Sequence, residues 1–339
     1  MPEVVGDSVD RLVTVEAKNR AFPHGIMGPL HAAARKAAGD RAVTMAAAQA
    51  IVDHVSAGDT VLVLTGAGYP PTMPKGESDG PPGAAALARM IHRGIGAVPV
   101  FVCEQNHRDP IVASSEASGL AIREFDDARS SGLAAAMILA PSSTNEIESW
   151  AQGIIDTLKP KILISTERLG PGKDSYLHNA LGRPISGPEA INMGAIDISP
   201  LVDQARRSGV FTIGVGDFGN EIGFGRIYDA VVRHVPRGND LATTVETDII
   251  VPAMISNWGC YGIEACLAFL LKRSDLLRTP QMEERTLRQC LDAGGVEAMF
   301  CTNDFFVDGL EGEASMAIVG LLGSIVRKNL EPVIEGPGH

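Results

Sequence analysis

Short, mostly apolar runs recur along this chain, each giving way to glycine or polar residues. They are TVLVLT at 60–65, VPVFV at 98–102, a run at 135–139, KILIS at 161–165 and FTIGV at 211–215. A run of strand length without polar alternation marks a strand covered on both faces, and parallel sheets are buried in that way. Segments of helical spacing lie between the runs, at 84–93, 109–118, about 146–158 and 198–209. This alternation predicts an α/β fold: a doubly wound, mostly parallel sheet with helices on both faces, in three layers. An outer strand at 120–125 and further strands at 248–256 and 298–304 extend the expectation. So do two alanine-rich helices between 30 and 54, and helices at 227–234, 261–272, 282–293 and 313–329. Residues 1–24 read as a lead-in, with 1–20 as a helix or a partly ordered segment. Residues 25–330 read as one α/β unit, or as two closely packed lobes with a break near 150, and 331–339 as a frayed tail.

Composition removes several function classes. The chain has 339 residues and a net charge of −12, from 29 basic and 41 acidic side chains. Nucleic acid and anionic membranes call for a basic face, so neither is an expected partner. No apolar run reaches membrane-spanning length and the N-terminus has no signal-like apolar stretch, which together predict a cytoplasmic protein. The cysteines Cys103, Cys260, Cys266, Cys290 and Cys301 are odd in number and form no CxxC, so reduced, mostly buried thiols are expected. A homo-oligomer is left open.

The strand at 211–215 runs into FGNEIGFG, which places five glycines within 214–225 around Asp217, Asn220 and Glu221. Glycine costs backbone entropy, so such density implies turns at positive φ or a ligand against the main chain. The spacing Gly214-x-Gly216-x-x-Gly219 fits a dinucleotide fingerprint only weakly, because carboxylates would stand beside a pyrophosphate. Glu167 ends another strand, and Asp174 follows in the long loop 169–186. These four acids, at the C-terminal ends of strands, are the candidate catalytic groups. Glu167, Asp217 and Glu221 are the candidate ligands of a divalent ion, Mg²⁺ or Mn²⁺, since the donors are oxygens without clustered Cys or His. The same carboxylates also suit acid–base catalysis without metal. A plainer arrangement has Asp217 and Asn220 capping a helix and Glu221 pairing with Arg226. At Asp79-Gly80-Pro81-Pro82-Gly83, Asp79 is placed to cap the helix at 84–93, and its free amides point at any nearby anion. Asn257, after the strand at 248–256, is placed to present its amide to the site.

These stretches bear a resemblance. GVGDFGNEIGFG, ERLGPGKDSYLHNALGRPIS (167–186), SNWGCYGIEACL (256–267), TGAGYPP…ESDGPPGAAALA and FFVDGLEGE resemble the signature blocks of the D-glutamate cyclase family, over about residues 25–326. The resemblance implies a hydro-lyase that reversibly removes water from D-glutamate to close 5-oxo-D-proline. It also implies an amino dicarboxylate as small-molecule partner. Some archaeal relatives are associated with Mn²⁺ and phosphatase activity, so a metal-dependent phosphatase is the alternative, and a non-catalytic ligand-binding protein is a third. The implied substrate contacts are Asp79, Gly80, Arg168, Tyr176, Asn179, Arg183, Asn220 and Asn257, with Arg168 and Arg183 as carboxylate partners. Phe218 and Phe224 stand where the family pattern has glycine and methionine, which places two larger side chains in the signature loop.

Overall fold

A computed structural model describes residues 1–18, 24–187 and 195–332. Most of the tail, from residue 333, lies outside them. Seven parallel strands form one sheet: β1 (Thr60–Leu64), β2 (Val98–Cys103), β3 (Ala121–Arg123), β4 (Ala134–Leu139), β5 (Ile162–Thr166), β6 (Phe211–Gly216) and β7 (Ile249–Pro252). Their spatial order is β3-β4-β2-β1-β5-β6-β7. The chain therefore starts in the middle, runs out on one side through β2 to the edge strand β3, steps back between them as β4, then crosses to the other side of β1 with β5, β6 and β7. Strands before and after residue 150 lie in this one sheet.

The apolar runs earn their burial by covering both faces. Val61 and Val63 of β1 join one core with Phe101, Ile164, Ile213 and Val251, while Leu62 and Leu64 join the other with Val100, Val102 and Leu163. The helices Ile147–Leu158 and Ser199–Arg207 supply the second core. The first core is larger and is organised by the helix Ser256–Leu271, whose residues through Phe269 are all buried. A helix apolar on every side needs neighbours all round; Pro2–Val13, Val43–His54, Pro81–Ile95 and Gly312–Leu330 pack against it. Trp258 and Tyr261 are accordingly core residues, their polar tips answered by Ser315 Oγ and Glu283 Oε1.

Two sequence expectations change. The strand expected at 248–256 ends at Pro252, and a helix starts at Ser256, so Asn257 belongs to a helical first turn. No strand forms at 298–304. The chain turns there, with Cys301 at φ 55°, and pairs just beyond in a short hairpin, β8 (Phe306–Val307) with β9 (Leu310–Glu311). In the lead-in the helical reading holds: Pro2–Val13 is a helix with Val5, Val9 and Val13 buried.

Candidate functional site

Chain reversal between β1 and β5 opens a crevice at the C-terminal edge of the sheet, where doubly wound folds bind ligands. Asp79 follows β1, Glu167 follows β5 and Asp217 follows β6. Each offers a carboxylate oxygen within 4.8 Å of the others, and all three residues are buried. They stand at the edge of a cavity of about 280 Å³. Glu77 and Asp308 add two more carboxyls to its lining; Tyr69, Met73, Leu169, Leu181, Phe218 and Met299 supply apolar wall. A larger open depression, lined by Asp203, Arg206, Arg207 and Asp248, lies at the opposite end of β6 and shares no residue with this cluster.

Local structure fixes each acid. Asp79 and Asn257 cap each other's helices. The N–H groups of Ser256 and Asn257 donate to Asp79 Oδ2 and Oδ1, both at 2.8 Å. In return Asn257 Oδ1 accepts from the N–H of Gly83 at 2.7 Å and of Gly80 at 3.1 Å, and its Nδ2 donates to Ser78 O at 3.1 Å. Asp79 thus caps the helix at 256, and the helix after it is capped by Asn257. The amides of Gly80 and Gly83 are spent on this exchange. Gly80 sits at φ 100°, and a Cβ there would lie 2.7 Å from Thr65 Oγ1 and 2.9 Å from Glu167 Cβ, so only glycine fits the joint. Glu167 takes a left-handed backbone, φ 43°, and its Oε2 accepts from Ser256 Oγ at 2.6 Å.

The glycine-rich loop after β6 proves to be packed against its own strand. A Cβ on Gly214 would meet Ile222 O at 2.6 Å and Gly223 Cα at 2.9 Å. Glu221 holds the turn from within. Its carboxylate accepts from the N–H groups of Asp217 and Phe218, each at 2.9 Å, and of Gly219 at 2.6 Å. Where the sequence placed Glu221 among the metal ligands, the structure groups Asp79 with Glu167 and Asp217.

The remaining candidates divide. Asn179 and Asn220 line the cavity, Asn220 donating to His178 O at 2.9 Å. Arg168 is buried behind it in a two-point ion pair with Glu104 at 2.5 and 2.6 Å, and donates further to Gly66 O and Ile196 O. Asp174 is exposed and pairs with His178; Arg183 is exposed, and Tyr176, half-buried, does not reach the cavity. Phe218 forms cavity wall, whereas Phe224 is core. Four cysteines are buried, Cys301 is exposed and none is bridged.

Sequence reasoning missed Lys18, Glu77, Ser256 and Asp308. Lys18 Nζ lies 2.6 Å from Asp217 Oδ2 and also contacts Asp308 Oδ2. Glu77 and Asp308 stand inside the blocks that carry the family resemblance, so a signal existed for them. A single lysine in a polar lead-in gives none.

Crowding like charges out of water shifts their titration. Burial, then the charge of Asp217, pushes Asp79 up to about 7 against the pull of Lys18 and its two amide donors. The same two causes hold Glu167 well above the usual carboxylate range. They bring Glu221 to about 8, opposed by the loop amides. The cluster therefore favours protons or a cation. An all-oxygen donor set suits Mg²⁺ or Mn²⁺ better than Zn²⁺.

Comparison with known proteins shows what the chain is similar to. The family model described as "D-glutamate cyclase-like, C-terminal" matches residues 29–323. The human protein named D-glutamate cyclase, mitochondrial, is 30% identical over 222 residues, which is 62% of this chain and 33% of that protein. This chain thus matches about a third of its relative's length. Among the described residues no helix is long and apolar enough to cross a membrane. With the signature blocks gathered around one crevice and the family match spanning nearly the whole sheet, the chain belongs to the D-glutamate cyclase-like family.

Proposed function

We propose that the chain is a hydro-lyase acting on D-glutamate or a related amino dicarboxylate, in the cytoplasm, in reversible exchange with the 5-oxo lactam. The observation that carries this reading is the buried Asp79–Glu167–Asp217 cluster beside a cavity at the sheet's switch point. In the forward direction the neutral amine attacks the γ-carboxyl carbon, a C–N bond forms, a C–O bond breaks and the oxygen leaves as water. Glu167, whose surroundings favour the protonated form, donates a proton to the leaving oxygen. Asp217 takes the proton shed by the attacking nitrogen. Asn179 and Asn220 orient the substrate's polar groups from the cavity wall, and Phe218 and Leu169 exclude water beside the reacting carbon. Fully deprotonated, Asp79, Glu167 and Asp217 would instead hold a divalent ion, which would polarise the carboxyl oxygen and offset the substrate's charge in place of the proton transfers by Glu167 and Asp217.

Incubating the purified chain with D-glutamate and, separately, with 5-oxo-D-proline, with Mn²⁺ or EDTA, tests the reading by chiral chromatography. Conversion in either direction that is lost in Asp217→Asn is expected. No conversion under any metal condition sinks the substrate assignment. One observation favours the alternative of a metal-dependent phosphatase. Arg168 is committed to Glu104, so anion binding falls to a cation in the cluster, as it would for a phosphate ester. EDTA-sensitive phosphate release without lactam chemistry would select that reading.

A further inference from the structure

The acidic centre carries a cation of its own. Lys18 belongs to the segment after the first helix, and its side chain is only 2% exposed. Its Nζ is 2.6 Å from Asp217 Oδ2 and in contact with Asp308 Oδ2. Both carboxylates line the cavity, and Asp217 is also a member of the three-carboxylate cluster. The segment is fastened in front of the lysine. Val13 O accepts from Met254 N–H at 2.8 Å, just beyond β7. The Glu16 carboxylate accepts from Gly25 N–H at 2.6 Å and Met27 N–H at 2.8 Å. On the far side Asp308 occupies the turn of the β8–β9 hairpin, at φ 48°. An ammonium delivered by one pinned segment, between two acids from distant loops, is a built contact.

We propose that Lys18 is a positioning residue for this centre, a resident counter-cation that holds Asp217 and sets how tightly a divalent ion binds. The inference rests on reading Asp79, Glu167 and Asp217 as a cation site. Two cations on one carboxylate repel each other, and the repulsion is strong where water is excluded. The lysine thus makes the cluster tolerable without metal and weakens its hold on metal. The binding of Mn²⁺ and the Lys18–Asp217 contact oppose each other.

Titration of MnCl₂ into the metal-stripped chain by calorimetry tests this with wild type, Lys18→Met and Lys18→Arg. Lys18→Met should bind at least about tenfold tighter, and Lys18→Arg within roughly threefold of wild type. An affinity in Lys18→Met that is unchanged or weaker overturns the proposal. Hydrogen exchange of the unmodified chain supplies a second arm that stands even if Lys18→Met does not fold. Amides 14–18 should exchange faster with saturating Mn²⁺ than with EDTA, and equal or slower exchange counts against the proposal. Should wild type and both variants take up no Mn²⁺, the cation site falls and this inference with it. Should wild type bind and Lys18→Met match it, only the role of Lys18 falls.

Discussion

Asn257→Ala isolates the reciprocal cap that joins the two helices flanking the site. Asn257 is fully buried and its amide serves three backbone groups. Gly80 N–H keeps a second acceptor, Asp79 Oδ1 at 2.9 Å, so it is not stranded. Gly83 N–H and Ser78 C=O lose the partners they have here. Stranding a buried backbone group costs about 1–3 kcal/mol, so two predict a loss of roughly 3–4 kcal/mol. For a chain of 339 residues, unfolding entropy at the midpoint is about 0.7 kcal/mol per degree, and the expected fall in Tm is about 4–6 °C. Differential scanning calorimetry measures it. Because Asp79 is seated on the same turn, the variant should also bind Mn²⁺ more weakly than wild type in a calorimetric titration. A fall in Tm below about 1 °C would refute the accounting, since two buried groups cannot lose partners so cheaply.

Further outcomes follow from the same geometry. Affinity for Mn²⁺ should rise from pH 6 to pH 8, because Asp79, held near 7 by burial and then by Asp217, must shed its proton to bind a metal. The native state binds that proton more tightly than the unfolded chain, so Asp79's contribution to metal-free stability is largest in acid and is lost as pH rises through about 7. Titrations in buffers of different ionisation heat would show the proton release, and pH-independent affinity would contradict it. Arg168→Met leaves the Glu104 carboxylate, now held down to about 2 despite burial by Arg168 and His107, without its main partner. A loss of about 3–5 kcal/mol is expected, read as a Tm lower by roughly 4–7 °C; an unchanged Tm would show the pair to be dispensable. Phe218→Ala should change the ratio of kcat/KM between D-glutamate and a bulkier analogue by roughly tenfold. Phe224→Leu, in the core, should lower Tm and leave that ratio alone.

The sheet was legible because its apolar runs are short and alternate with segments of helical spacing, a pattern that few other arrangements can bury. The ends of elements were less so. The run from Asp248 to Ser256 reads as one strand, yet Pro252 closes it, and Ser256 and Asn257 open a helix whose cap comes from residue 79. No local signal announces a cap supplied from so far away. Acids at strand ends located the crevice, and two of the four, Glu167 and Asp217, meet there, joined by Asp79, which the sequence set as a helix cap. What spacing could not show was where each side chain turns. Glu221 bends back onto its own loop, and Arg168 finds Glu104, a residue that nothing in the sequence set beside it. Asp174 and Arg183 share their loop with Asn179 but face outward.

The hairpin that carries Asp308 has a consequence for how the molecule is made. During synthesis the nascent chain emerges with Lys18, Asp79, Glu167 and Asp217 long before residues 306–311. The other acids of the crevice are thus all synthesised before Asp308, one of the carboxylates that Lys18 contacts. Contacts that join the two ends of a chain are the slowest to be reached in folding, and partly formed cores of large proteins expose apolar surface while they wait. Here a hairpin late in the sequence supplies one of the carboxylates that balance the charge of Lys18, so the site waits on residues 306–311.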